Sequence, residues 1–160
     1  MELAFKVAAR IEKPVAEVFE AVADPKALSR YFTTGGASAR LETGTTVYWE
    51  FGDFPGAFPV QVAEVEPERR IVLRWAAHEG VPSDPDVEAT ASAGYDTTVT
   101  MTFAPLDDGR TLVTIAEEGW RETPPGLKAS YGNCEGWTQM LCALKAHLEH
   151  GINLREGFYK

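Results

Sequence analysis

Eight apolar side chains and one tyrosine carry most of the binding chemistry this sequence can offer. Trp49, Phe51, Phe58, Trp75, Met101, Trp137, Met140 and Leu144 occupy the inward phases of four expected strands and one expected long helix. A set of this kind either packs solid as a core or walls a pocket for a small hydrophobic molecule. A pocket also needs a few polar groups among its apolar walls. Tyr95 is taken into the candidate ligand site on that ground, with Tyr31 and His147 as further candidates; each also suits an ordinary surface or rim position.

Other reactive types are sparse or badly spaced. His147 and His150 lie three apart at a helix end, enough for two metal ligands on one face. A tight site needs a third or fourth ligand, and histidines there also suit the negative end of the helix dipole, so no metal is expected. Asp84, Asp86 and Glu88 imitate the start of a calcium loop but lack the glycine its tight turn requires. The signatures G-x-S-x-G, G-x-x-x-x-G-K, H-E-x-x-H and G-x-G-x-x-G are absent. No catalytic residue and no cofactor is therefore assigned, although residues distant in the chain could still meet.

Composition narrows the class further. The 160 residues are 44% hydrophobic and 24% charged, which suits one globular domain spanning 1–160. Fifteen Lys and Arg against 24 Asp and Glu leave a net charge of −9. That balance disfavours a grip on nucleic-acid phosphates or on anionic lipid. No apolar run approaches the roughly 18 residues of a membrane span, and the first residues alternate rather than forming a signal peptide. Cys134 and Cys142 sit eight residues apart on one expected helix, about 12 Å, which is too far for a disulfide. Both read as packing residues of a cytoplasmic protein.

The elements that must position the aromatic set follow from periodicity. Leu3, Phe5, Val7, Ala9 and Ile11 alternate as a strand, and Val15, Val18, Phe19 and Val22 recur as a helix ending near Asp24-Pro25. A short helical piece over 26–31 and a turn at Gly35-Gly36 come next. Strands are expected around 47–51, 58–62, 71–75 and 97–103, with a tight turn at Asp108-Gly109 and a return strand over 111–118 of ambiguous facing. The stretch 76–94 has no periodicity and reads as a lid, a binding loop or a solvated hairpin extension. After Pro124-Pro125-Gly126 a long helix runs to Gly151, with Ser130 or Asn133 as its cap. Trp137, Met140, Leu141, Leu144 and Leu148 face inward, and Glu135, Gln139, Lys145 and Glu149 mainly outward. About six strands and a long final helix describe an α+β domain: a curved antiparallel sheet with helices on one face.

Four pieces of the chain, in order, resemble a known family. They are I-x-x-P-V-x-x-V-F-x-A-V-x-D-P from Ile11 to Pro25, the pair Tyr31-Phe32, E-V-E-P-E-R-R-I-V-L-R-W from Glu64 to Trp75, and E-G-W-T-Q-M-L-C-A-L-K-A-H-L-E-H-G from Glu135 to Gly151. They are similar to the activator of heat-shock protein 90 ATPase homologue family (Aha-like), within the START/Bet v 1-like (SRPBCC) superfamily. The resemblance implies a helix-grip fold, with the C-terminal helix across the sheet and an apolar cavity between them. It also implies two alternatives to ligand binding: a polyketide cyclase or aromatase-like enzyme, and a chaperone-linked interaction module. The eukaryotic activators carry a further domain for chaperone contact, for which 160 residues leave no room, so that role is not carried over. The expected partner is a small hydrophobic molecule, and a homodimer is left open.

Overall fold

The computed structural model describes residues 2–79 and 92–160. Most of the aperiodic stretch 76–94, with Asp84, Asp86 and Glu88, therefore lies outside the described residues. Seven strands form one sheet: β1 (Leu3–Ile11), β2 (Gly36–Ala37), β3 (Thr46–Phe51), β4 (Phe54–Glu66), β5 (Arg70–Ala76), β6 (Asp96–Pro105) and β7 (Thr111–Trp120). Their spatial order is β1-β7-β6-β5-β4-β3-β2, and every neighbouring pair is antiparallel. The extra strand beyond the expected six is β2, two residues long and too short to leave a periodic trace. Register shifts at Glu50/Phe51 and Val62/Glu64 supply the bends that let the sheet curve.

Among the described residues three helices accompany the sheet: α1 (Val15–Ala23), α2 (Pro25–Leu28) and α3 (Pro124–His150). Asp24 separates the first two as expected, and its carboxylate caps α2 by accepting from Ala27 N at 2.9 Å. The long helix starts earlier than the sequence suggested. Thr123, not Ser130 or Asn133, is its N-cap, with Thr123 Oγ1 accepting from Gly126 N at 3.1 Å. Proline is well placed at the first helical position because no N–H is needed there. Gly126 is required at this entry, since a Cβ would lie 2.1 Å from the Arg121 carbonyl oxygen. At the other end Gly151 closes the helix at φ 67°, in the left-handed region.

Between α3 and the sheet lies the main core. Val47, Trp49, Val60, Ile71, Val99, Met101, Val113, Ile115, Met140 and Leu144 have no exposed surface. Each such side chain removed from water contributes about 1.5–3 kcal/mol before entropy is counted. The ambiguous facing of β7 resolves into strict alternation: Thr111, Val113, Ile115 and Glu117 point inward. That alternation brings a carboxylate into the apolar layer.

Candidate functional site

Glu117 is fully buried, and four side chains donate to it. Its Oε1 accepts from Trp75 Nε1 at 2.8 Å, Thr97 Oγ1 at 2.7 Å and Asn133 Nδ2 at 3.0 Å. Its Oε2 accepts from Trp137 Nε1 at 2.8 Å and again from Asn133 Nδ2, at 3.2 Å. The donors come from β5, β6 and α3, so this one group ties the helix to the middle of the sheet. Burial pushes the Glu117 carboxyl above its ordinary range, and the four donors pull the other way without cancelling it. A carboxylate has about four lone-pair sites, and here they are taken. Proton abstraction requires a free one within reach of substrate. Glu117 is therefore placed to hold the two indoles and the helix in position.

The structure brings most of the sequence-predicted residues together, in two roles. Trp49, Met101, Met140 and Leu144 are completely enclosed, and Trp137 is 2% exposed. Phe51, Phe58 and Trp75 are half-buried around them. The rings form a continuous array: Trp49 meets Trp75 edge-on at 5.9 Å, Trp75 lies 5.5 Å from Trp137, and Phe32 lies 5.5 Å from Trp137 and 5.1 Å from Phe51. Tyr95 belongs elsewhere. It packs with Ala77, Trp120 and Ala129 in a second, smaller cluster, donates to Glu79 Oε1 at 2.9 Å and accepts from Arg121 N at 3.2 Å. Tyr31 is also enclosed, donating to the Ala21 carbonyl at 2.9 Å and stacking on His147. Burial and the nearby Arg30 hold the His147 imidazole below its ordinary range.

Two assignments on α3 are corrected, one outward and one inward. Gln139 is 4% exposed because the chain beyond Gly151 folds back over it, which helical periodicity cannot register. Cys142, read as a packing residue, is exposed, on the face turned away from the sheet. Among the described residues, no three His, Cys, Asp or Glu side chains converge as a metal site requires. No described helix is long and apolar enough to cross a membrane.

The open feature of this region is a cleft of about 210 Å³ beside the aromatic array. It is lined by residues 55–59 of β4, Trp75 and Ala76 of β5, His78 and Ser92. Phe58 stands opposite Trp49 across β3 and β4, and meets His78 edge-on at 5.5 Å. Trp75 joins cleft and interior: it lines the cleft, and its N–H is held by Glu117.

The profile of activator of Hsp90 ATPase homolog 1-like proteins matches residues 12–149. The chain belongs to that family. Solved structures agree with the helix-grip architecture. Protein SSP2350 from Staphylococcus saprophyticus is 26% identical with a TM-score of 0.71, the match covering 96% of this chain and 95% of that one. DynU16, a protein in the dynemicin biosynthetic locus, is 28% identical with a TM-score of 0.73 over 95% of this chain, which spans 49% of DynU16. The Aha1 dimer from Colwellia psychrerythraea has a TM-score of 0.68 at 18% identity, covering 92% of this chain and 97% of that one; this likeness carries the fold alone. No curated protein matches the sequence.

This member of the Hsp90-activator homologue family also buries a cation, and does so outside the matched residues. Arg155 is 5% exposed. Its Nη2 donates to Asp53 Oδ1 at 3.1 Å and its Nη1 to Gln139 Oε1 at 3.2 Å. The guanidinium carbon lies 5.0 Å from the Phe51 centroid, 5.0 Å from Tyr159 and 5.6 Å from Phe32. Glu117 and Arg155 were both passed over in the sequence. For Glu117 the signal was available, because the phase of Val113 and Ile115 continues to it. For Arg155 no periodic signal exists.

Proposed function

We propose that this protein binds a small hydrophobic molecule at the cleft between Phe58 and Trp75, and that it does so without transforming it. The supporting observation is the cleft itself, apolar-walled and about 210 Å³ in volume, with one wall fixed by a buried carboxylate. Drug-sized ligands occupy roughly 300–1,000 Å³, whereas an apolar cavity near 150 Å³ accepts benzene. The ligand on this reading inserts one ring or a short chain. Phe58 and Trp75 contact it, while Trp49, Phe51, Met101, Trp137, Met140 and Leu144 form the packed floor behind them. Tyr95, in its separate cluster, serves the fold rather than the ligand.

Titration with 8-anilinonaphthalene-1-sulfonate, followed by its fluorescence, tests the reading. Ala57→Phe narrows the cleft from an exposed strand position and is expected to weaken probe binding about tenfold, the equivalent of about 1.4 kcal/mol. Equal binding by this variant and the parent chain would place the ligand elsewhere.

A second reading, cyclase-like catalysis, draws on the 28% identity with DynU16 and on His78 and Ser92 at the cleft wall. It predicts turnover of an aromatic polyketide chain that His78→Ala abolishes while 8-anilinonaphthalene-1-sulfonate binding persists. Turnover unaffected by His78→Ala removes that residue from any mechanism.

A further inference from the structure

We propose that Phe32, Phe51, Asp53 and Gln139 form a seat for a guanidinium group, and that Arg155 of the chain's own tail is its in-place occupant, exchangeable for a guanidinium ligand from outside. The body of the protein builds this seat without the tail. Phe32 follows α2, Phe51 ends β3, Asp53 lies in the β3–β4 turn, and Gln139 is on α3. The Phe32 and Phe51 rings meet edge-on at 5.1 Å and give a flat cation two aromatic neighbours. Asp53 and Gln139 add two acceptors, at 3.1 and 3.2 Å from the two terminal nitrogens of Arg155. A planar fork between rings suits a guanidinium and not the compact head of a lysine.

Arg155 fills the seat without completing it. Asp53 Oδ2, Gln139 Nε2 and Arg155 Nε are buried with no hydrogen-bond partner. A guanidinium facing a carboxylate normally engages both oxygens through two parallel N–H bonds. Tethered to the tail, Arg155 reaches one. A free guanidinium, able to turn in the seat, can engage both and so competes with the tethered one.

Beyond Arg155 the tail is held at its end and little between: Ile152, Leu154 and Phe158 are exposed, while Tyr159 lies against Arg155 and packs on Phe54 at 5.7 Å, and Lys160 lies over the Phe54 ring at 5.5 Å. A compact turn presents the arginine: Asn153 Oδ1 accepts from Arg155 N and Glu156 N, both at 3.2 Å, and Phe158 N donates to the Arg155 carbonyl at 3.0 Å. Those amides report whether the tail is seated. The inference is independent of the apolar cleft, since the seat and the cleft bind by different chemistry.

Amide hydrogen exchange on the unmodified chain provides the test, read at Glu156 and Phe158 by NMR. Methylguanidinium, at about ten times its dissociation constant, is expected to speed exchange at both positions about tenfold, because a competitor raises the open population by mass action. Amides of β6 and β7 should not respond, which separates displacement from denaturation. Methylammonium at equal concentration should leave the tail seated. An acetylated peptide of residues 152–160 is run in parallel. Displacement by that peptide alone identifies an arginine within a chain as the source of the guanidinium, and displacement by both identifies the free group. In a second arm, Arg155→Ala gains saturable methylguanidinium binding, and adding Asp53→Asn removes it. If neither guanidinium source displaces the tail, or methylammonium acts equally well, the proposal is overturned. The exchange arm decides this even if Arg155→Ala fails to fold.

Discussion

Glu117 and Arg155 are both withdrawn from water, and the Trp137 and Phe32 rings bridge the space between them. The carboxylate is surrounded by four donors drawn from three elements of the sheet and helix. The guanidinium has two hydrogen bonds and leaves its Nε without a partner. The acid rests on β7, between β1 and β6 in the sheet, and the base hangs from the segment beyond the last helix. A buried charge with every site filled locks its surroundings, because each departure strands several donors at once. One that is partly filled can leave at a lower cost, since water completes what the protein does not. The two regions thus teach opposite uses of the same expensive operation.

Three measurements sharpen or break this contrast. Glu117→Ala should have the largest effect, a loss of about 3–5 kcal/mol read from the denaturant midpoint, since it strands four buried donors and opens a cavity. A loss below about 1 kcal/mol would show that the carboxylate does not organise its neighbours.

Next comes pH. Burial raises the Glu117 carboxyl above the ordinary value of 4.5, so between that value and its folded value the native state holds a proton the unfolded chain has released. The contribution of this group is therefore full at low pH and falls as pH rises through the folded value. The slope reaches at most about 1.4 kcal/mol per pH unit. Glu117→Gln should flatten the part of the stability profile that falls as pH rises above 4.5, and a profile identical to the parent's would mean the donors cancel burial.

Arg155→Ala should have the smallest effect, about 1 kcal/mol. Breaking a sealed ion pair typically costs about 3–5 kcal/mol, but Asp53 is at the margin and regains water. A loss as large as that of Glu117→Ala would erase the distinction between the two regions.

Much of this was legible in the residues. The alternation in β1 and β6, the break at Asp24-Pro25 and the stripe Trp137, Met140, Leu141 and Leu144 report local geometry, and each reappears as read. Trp49, Phe51, Trp75, Met101, Trp137, Met140 and Leu144 pack in one core, whereas Phe58 lies at its edge against Phe51 and His78 and Tyr95 lies in a second cluster. The chemistry of this set was harder to see. Trp75 and Trp137 read as apolar walls because an indole's ring dominates its pattern, while its single N–H shows its value once an acceptor is placed opposite. That acceptor sits forty-two residues from Trp75 and is a glutamate, a residue type that usually marks solvent. Gln139 was assigned outward for a related reason: periodicity divides a helix into faces but does not know which of them a later segment will cover.

The position of β1 has a consequence in time. Leu3 lies opposite Trp120 and Ile11 opposite Thr111, so β1 pairs with the last strand of the sheet, well over half the chain away. Ribosomal synthesis, at roughly 5–20 residues per second, therefore leaves β1 an unpaired edge until β7 emerges. The carboxylate on β7 in turn finds Asn133 and Trp137 only when α3 has followed it. Glu117 must stay hydrated until that moment and give up its water as the helix docks. Pairing β1 and burying Glu117 are thus late, linked events, and pairing of this separation is the kind that makes a small domain fold slowly.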